Sequence, residues 1–423
     1  MSKTQYDVIV IGGGPSGATV AARLRQAGRS VVLFERERFP RFHIGESLLP
    51  CSMPLFEELG VAPALARANF LPKHAAEFVT ADGKISRRYA FADGLVPGPA
   101  SAYEVDRSEF DKVLLDHAAE QGATVEQETQ VVKFDCDRQR GVSATVRGPD
   151  GDREVSAELL IDATGQNSLL AGRLGLREMD PGLKNFTVFS HFDGAVRHSG
   201  VREGDITIVL VPEGWWWLIP LRGNRTSVGL VAPSRMLKGR KPDEAYLLER
   251  IAATPYLAER LAAAERVAPV RSVSDYSYVS RRLVGDRWLM VGDAGAFIDP
   301  VFSTGVYLGM CSAFRAADSV TRAFERRDFS AAMFRDYERF VRRIVKRYRA
   351  FVKGFYQPEF AEVLMQPSDW LKLRAAITSL LAGYGVDRFE VNWRVLVFRA
   401  IARANRGLAL TPRLSGRRET FAQ

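Results

Sequence analysis

The stretch Tyr6-Asp7-Val8-Ile9-Val10-Ile11-Gly12-Gly13-Gly14-Pro15-Ser16-Gly17-Ala18, followed by Ser30-Val31-Val32-Leu33-Phe34-Glu35, decides the fold. Residues 6–11 are rich in β-branched side chains, residues 18–27 have helical composition, and residues 30–35 form a second apolar strand. The turn between them satisfies G-x-G-x-x-G. Gly12 allows the tight turn, Gly14 lets the backbone approach a pyrophosphate, and Gly17 permits close helix–strand packing. Pro15 and Ser16 complete the turn, and the helix N-terminus offers its unpaired N–H groups to the phosphates. Glu35 ends the second strand, 18 residues after Gly17, where it can accept from ribose hydroxyls, with Arg36 beside it. A carboxylate there favours a dinucleotide with a free ribose 2′-OH, FAD or NAD, over NADP.

Working outward, helical and strand patterns alternate again: a helix near residues 107–121, and strands near 159–162 and 288–291. Longer pieces with two-residue alternation lie near 75–89, 185–197, 206–221 and 226–231. The interleaving predicts an α/β protein: a doubly wound nucleotide-binding domain (1–74, 103–182 and 272–330) that the chain leaves twice to build an antiparallel sheet (75–102 and 183–271) for the substrate. Residues 331–423 read as a helical region, with a polar tail over 414–423.

The chain has 423 residues, 46% hydrophobic and 26% charged, which excludes a disordered, fibrous or disulfide-stapled protein. Its three cysteines, Cys51, Cys136 and Cys311, match neither a disulfide framework nor a metal-ligand spacing. The formal net charge of +9 is segregated: residues 331–423 carry 18 basic against 8 acidic residues, and the preceding 330 carry 41 against 42. No nucleic-acid recognition motif accompanies the basic region, so that partner is not expected. Residues 1–7 run straight into the first strand without a basic leader or cleavage site, and no window has the length and apolarity of a membrane span. The expectation is a cytoplasmic protein with no membrane partner.

Further motifs fix the cofactor. Gly292-Asp293-Ala294-Gly295 follows an apolar strand and is followed by Asp299-Pro300-Val301-Phe302-Ser303-Thr304-Gly305. Asp162-Ala163-Thr164-Gly165 ends another strand, and Asp106-Arg107 begins a helix. With the first glycine turn, these four fingerprints resemble the FAD-dependent monooxygenase superfamily in its own order. That resemblance implies FAD, with Asp293 at ribityl or ribose hydroxyls. It also places Arg107, Asp162, Gly165, Pro300 and Gly305 around the cofactor, glutathione-reductase-like in fold.

Two motifs narrow the family. Trp215-Trp216-Trp217-Leu218-Ile219-Pro220 fits W-x-W-x-I-P, and Phe297-Ile298-Asp299-Pro300-Val301-Phe302-Ser303-Thr304-Gly305 fits F-x-x-P-x-x-S-x-G. Both resemble the flavin-dependent halogenases, as does Gly45-Glu46-Ser47-Leu48, which puts Ser47 near the flavin. Lys73 aligns with the lysine that this family needs. The resemblance implies that FADH2 and O2 form a flavin C4a-hydroperoxide that chloride or bromide converts to hypohalous acid. Lys73 then delivers the halogen to an electron-rich aromatic in natural-product biosynthesis. Trp215, Trp217, Ile219 and Pro220 would wall the flavin off from the organic substrate. Ser303, Thr304 and Gly305 offer small side chains and backbone N–H groups to a halide.

Phe302 before Ser303 departs from the tryptophan-halogenating members and looks more like those acting on phenols, pyrroles or carrier-bound aryl groups. No second G-x-G-x-x-G is present for NAD(P)H, which suggests a separate NAD(P)H-flavin reductase. The basic region, expected to cap the pocket, suits an acidic acyl or peptidyl carrier protein bearing the substrate; a solvated helix face is the competing reading. The alternative function is an FAD-dependent aromatic hydroxylase with no halide role.

Overall fold

The computed structural model describes residues 4–366, 369–385 and 388–414; most of the polar tail therefore lies outside the described residues. The expected strand–turn–helix–strand is present as β1 (Thr4–Ile11), α1 (Pro15–Gln26) and β2 (Val31–Phe34). Val8, Ile9 and Val10 are wholly buried, because helices and further strands cover both faces of a central parallel strand. Pro15 opens α1, where a missing N–H costs nothing. Gly12 takes φ +102°, and a Cβ on Gly17 would lie 1.9 Å from the Gly12 carbonyl oxygen. Only glycine at both positions lets helix and turn sit this close.

The main sheet runs Val284–Gly285, Trp288–Met290, Gly151–Asp162, β1, β2, Thr124–Glu126, with Gly141–Gly148 and Gln130–Asp137 continuing it as antiparallel strands. Its four central pairings are parallel. The second sheet runs Glu265–Arg266, Asn185–Asp193, Arg225–Pro233, Gly214–Pro220, Ile206–Val211, Ala75–Thr80, Ser86–Ala90. One of its pairings, between Ile206–Val211 and Ala75–Thr80, is parallel where an antiparallel sheet was expected. The early hairpin Ala75–Ala90 docks on a strand far downstream, so no short turn dictates its direction.

All seven residues of Gly214–Pro220 are buried, and its alternation splits the tryptophans. Trp215, Trp217 and Ile219 face one cluster with Phe302, Phe351 and Phe355, while Trp216 packs on the other face among Val188, Leu230 and Leu247. The C-terminal region is helical, comprising Arg335–Phe355, Pro358–Leu364, Leu373–Leu381 and Phe389–Leu408. In the first of these, Tyr337, Ile344, Tyr348, Phe351 and Phe355 form a buried stripe at helical spacing. Part of its basic face is used internally, since Arg349 and Lys353 both bind Asp180, at 2.6 and 2.9 Å. Arg343 and Lys346 are exposed. Among the described residues no helix is long and apolar enough to cross a membrane.

Candidate active site

A cavity of about 800 Å³ opens between the β1–α1 turn, the segment 41–47 and the tryptophan-bearing face of the second sheet. Gly12, Gly14, Pro15, Ser16, Glu35, Arg36, Ser47, Arg107, Gly165, Asp293, Pro300, Ser303 and Gly305 all line it, together with Trp215, Trp217 and Ile219. Residues separated by almost three hundred positions thus meet around one space.

A Cβ on Gly14, at the N-terminus of α1, would meet no atom nearer than Arg41 Nη2, at 3.6 Å. The phosphate cradle is open to a ligand and has a guanidinium at its edge. Glu35 Oε2 accepts from the Gly13 N–H (2.7 Å) and Oε1 from the Glu37 N–H (2.9 Å), fixing the carboxylate with lone pairs to spare for ribose hydroxyls. Arg107 is buried and gripped by Asp111 through two bonds of 2.7 and 2.9 Å, while its Nη1 donates to the Ile44 carbonyl (2.7 Å). Burial raises the Asp293 carboxyl to about 7, with Arg107 opposing the shift. These features fit a flavin dinucleotide.

Five expected site residues lie outside the cavity wall. The Asp162 carboxylate accepts from Thr164 N (2.9 Å) and Leu170 N (2.7 Å), so it pins the turn from within instead of lining the cavity. Gly17 packs behind the phosphate turn. Pro220 points away from the face shared by Trp215, Trp217 and Ile219, by strand alternation. Thr304 is buried at the start of the helix Gly305–Arg326. Ser303 is left-handed at φ +54° and Thr304 follows at φ −83°, with the Ser303 N–H donating to the Pro300 carbonyl (3.0 Å).

Lys73 is the fifth. It lies one layer back at 2% exposure, with Nζ donating to Ser47 Oγ (2.8 Å) and to the Leu48 carbonyl (3.0 Å). Burial lowers its pKa, and Glu104 and Asp205 counter the shift.

Several residues that the sequence reading did not single out complete the site. Asp299 Oδ2 accepts from Tyr356 Oη (2.8 Å) and Asn185 Nδ2 (3.1 Å), and burial raises its carboxyl to about 6. Tyr276 lines the cavity, its hydroxyl buried and without a hydrogen-bond partner among the described residues. Glu46 binds His191 at 2.6 Å. Asp299 and Glu46 stand inside quoted motifs, but Tyr356 and Asn185 carry no sequence signal, since only folding brings them there.

The glycine-lined cavity defines an FAD-binding α/β protein, and residues 5–347 match the family described as FAD binding domain. The 1H-pyrrole-2-carbonyl-[peptidyl-carrier protein] chlorinase of Pseudomonas fluorescens is 34% identical over 419 residues, covering 92% of each chain. A flavoprotein/dehydrogenase from Cytophaga hutchinsonii superposes with a TM-score of 0.87 at 29% identity, over 95% of this chain and 99% of that one. A flavin-dependent brominase superposes with a TM-score of 0.84 at 28% identity, over 95% and 100%. The protein belongs to the flavin-dependent halogenase family.

Proposed function

We propose that the protein halogenates an electron-rich aromatic, a pyrrole or phenol borne by a carrier protein, through hypohalous acid directed by Lys73. FAD, when bound in reduced form with O2, supplies the oxidising equivalents that convert chloride or bromide. The turn at Ser303–Gly305 holds the halide. Trp215 and Trp217 exclude the organic substrate from the flavin side and leave passage only to a small oxidant. Lys73, dry and hydrogen-bonded at a fixed position, receives that oxidant, and burial lowers its pKa, which favours the neutral amine more than at an exposed lysine. The burial of Lys73 directly behind the cavity residue Ser47 carries this reading.

The chlorinase relative acts, by its name, on a pyrrole-2-carbonyl group attached to a peptidyl carrier protein. The exposed Arg343 and Lys346 in the basic C-terminal region support an acidic carrier here too. A separate NAD(P)H-flavin reductase completes the system. The test supplies purified enzyme with that reductase, NADH, O2 and chloride or bromide. Pyrrole-2-carbonyl-carrier, its free acid and a phenol panel serve as substrates, with products read by isotope pattern. Halogenated carrier-bound product is expected; turnover of the free compounds alone rejects the carrier, and hydroxylated product without halogen rejects the halogenation.

A further inference from the structure

Lys73 has a buried carboxylate partner that it reaches only through Ser47. Three extended segments build the arrangement. Strands Leu71–Lys73 and Ala102–Glu104 pair antiparallel, with Lys73 opposite Ala102. Residues 46–48 flank the second strand, with Ser47 opposite Glu104, Leu48 N bonded to the Tyr103 carbonyl (3.0 Å) and Val105 N to the Glu46 carbonyl (2.7 Å). This register fixes the side chains on one line. Lys73 Nζ donates to Ser47 Oγ at 2.8 Å, and the Ser47 hydroxyl donates to Glu104 Oε1 at 3.1 Å.

Glu104 is 0% exposed, and its Oε2 is buried with no hydrogen-bond partner among the described residues. A carboxylate so placed is under-satisfied as an anion, whereas a proton on it would reduce the demand for partners. The charged neighbours of the pair are otherwise engaged. Glu46 is held by His191 at 2.6 Å, Asp205 by Arg88 at 2.7 Å, and the remaining titratable neighbour of Lys73 is the buried thiol Cys51. The Phe91 ring lies 5.5 Å from Nζ. Glu104 is therefore the carboxylate joined to Lys73 by a continuous hydrogen-bond path.

We propose that Glu104 is a positioning residue that exchanges a proton with Lys73 through the Ser47 hydroxyl. Ser47 Oγ takes a proton from Lys73 Nζ as it gives its own to Glu104 Oε1. One N–H bond breaks, one O–H bond forms on the carboxylate, and the serine is regenerated. Lysinium and carboxylate become amine and carboxylic acid, so the buried site keeps its net charge; the reverse transfer restores the first state. Both forms of Lys73 are thereby accessible without moving charge through a dry interior, where uncompensated charge is costly. The functional consequence rests on the halogenation reading above; the Glu104–Lys73 coupling does not.

The test compares wild type, Glu104→Gln, Ser47→Ala and the double variant, each shown to be folded and saturated with FAD. The first readout is the pH midpoint for acetylation of Lys73 by acetic anhydride, measured by peptide mass spectrometry. The second is halogenated product formed per flavin oxidised, as a function of pH. Glu104→Gln should lower the Lys73 midpoint by at least one pH unit, because the ammonium loses its negative partner. It should also move the lysine-dependent limb of the product profile the same way. Both single variants should lose at least tenfold in product per flavin, and the double variant no more than either, because both cut one path. Should Glu104→Gln not fold, Ser47→Ala carries the same comparison. Wild-type midpoints with wild-type profiles, or losses that multiply in the double variant, would overturn the proposal. A wild type that makes no halogenated product, with the Lys73 midpoint still shifted in Glu104→Gln, overturns the halogenation reading alone.

Discussion

Trp215 is held by Tyr356: its indole N–H donates to the tyrosine hydroxyl at 3.1 Å, and that hydroxyl donates onward to Asp299 Oδ2 at 2.8 Å. The bond ties the tryptophan wall to the C-terminal helical region, and the second bond ties both to the turn that carries Ser303. Phe302 reinforces the join, its ring 4.5 Å from that of Phe351. The tryptophan-bearing strand on the cavity wall thus depends on residues more than a hundred positions downstream.

Tyr356→Phe leaves the indole N–H and Asp299 without that partner. Chemical denaturation should show a loss of about 1–3 kcal/mol, the cost of stranding buried polar groups. The FAD site should remain loaded, because Tyr356 does not line the cavity.

The two glycines of the phosphate turn should fail differently. Gly14→Val should yield a folded protein that no longer binds FAD, since the added atoms enter ligand space with Arg41 as their nearest neighbour, 3.6 Å from the Cβ. Gly17→Ala, whose Cβ would lie 1.9 Å from the Gly12 oxygen, should instead lower the melting temperature by several degrees. Flavin fluorescence titration and thermal denaturation separate the two.

Affinity for FAD should weaken in acid. The Asp293 carboxyl is raised by burial to about 7. If flavin hydroxyls donate to its ionised form, binding favours the deprotonated carboxyl, and affinity falls toward tenfold per unit below pH 7. Asp293→Asn should flatten that dependence, which isothermal titration across pH 5–8 measures directly.

Acid should also destabilise the fold through His43. Burial, aided by the positive charge of Arg107, holds its pKa at about 4 against an ordinary 6.5. The folded state therefore keeps the ring neutral while the unfolded chain binds a proton. Above pH 6.5 there is no penalty; between 6.5 and 4 stability drops, by up to about 3 kcal/mol. The difference in unfolding free energy between wild type and His43→Gln should shrink over that window.

The sequence made the flavin half of this molecule legible because glycine turns and strand-end carboxylates are local: each fingerprint specifies its geometry within a few residues. Gly12, Glu35 and Asp293, each expected from such a local pattern, line one cavity. The Asp162 carboxylate showed the limit, since a strand-end aspartate can serve either a ligand or its own backbone, and here it bonds Thr164 and Leu170. The parallel pairing of Ile206–Val211 with Ala75–Thr80 and the Trp215–Tyr356–Asp299 chain were not readable, because both are long-range contacts that no spacing encodes. Glu104 was hidden in the same way, on a short strand whose register with Ser47 only the fold sets.

The most direct measurement is the halogenation assay on Lys73→Ala beside wild type, with reductase, NADH, O2 and halide supplied and FAD binding confirmed in both. Wild type should give halogenated carrier-bound pyrrole or phenol, and Lys73→Ala should give none while still binding FAD and consuming O2. A fully active Lys73→Ala enzyme would contradict the account.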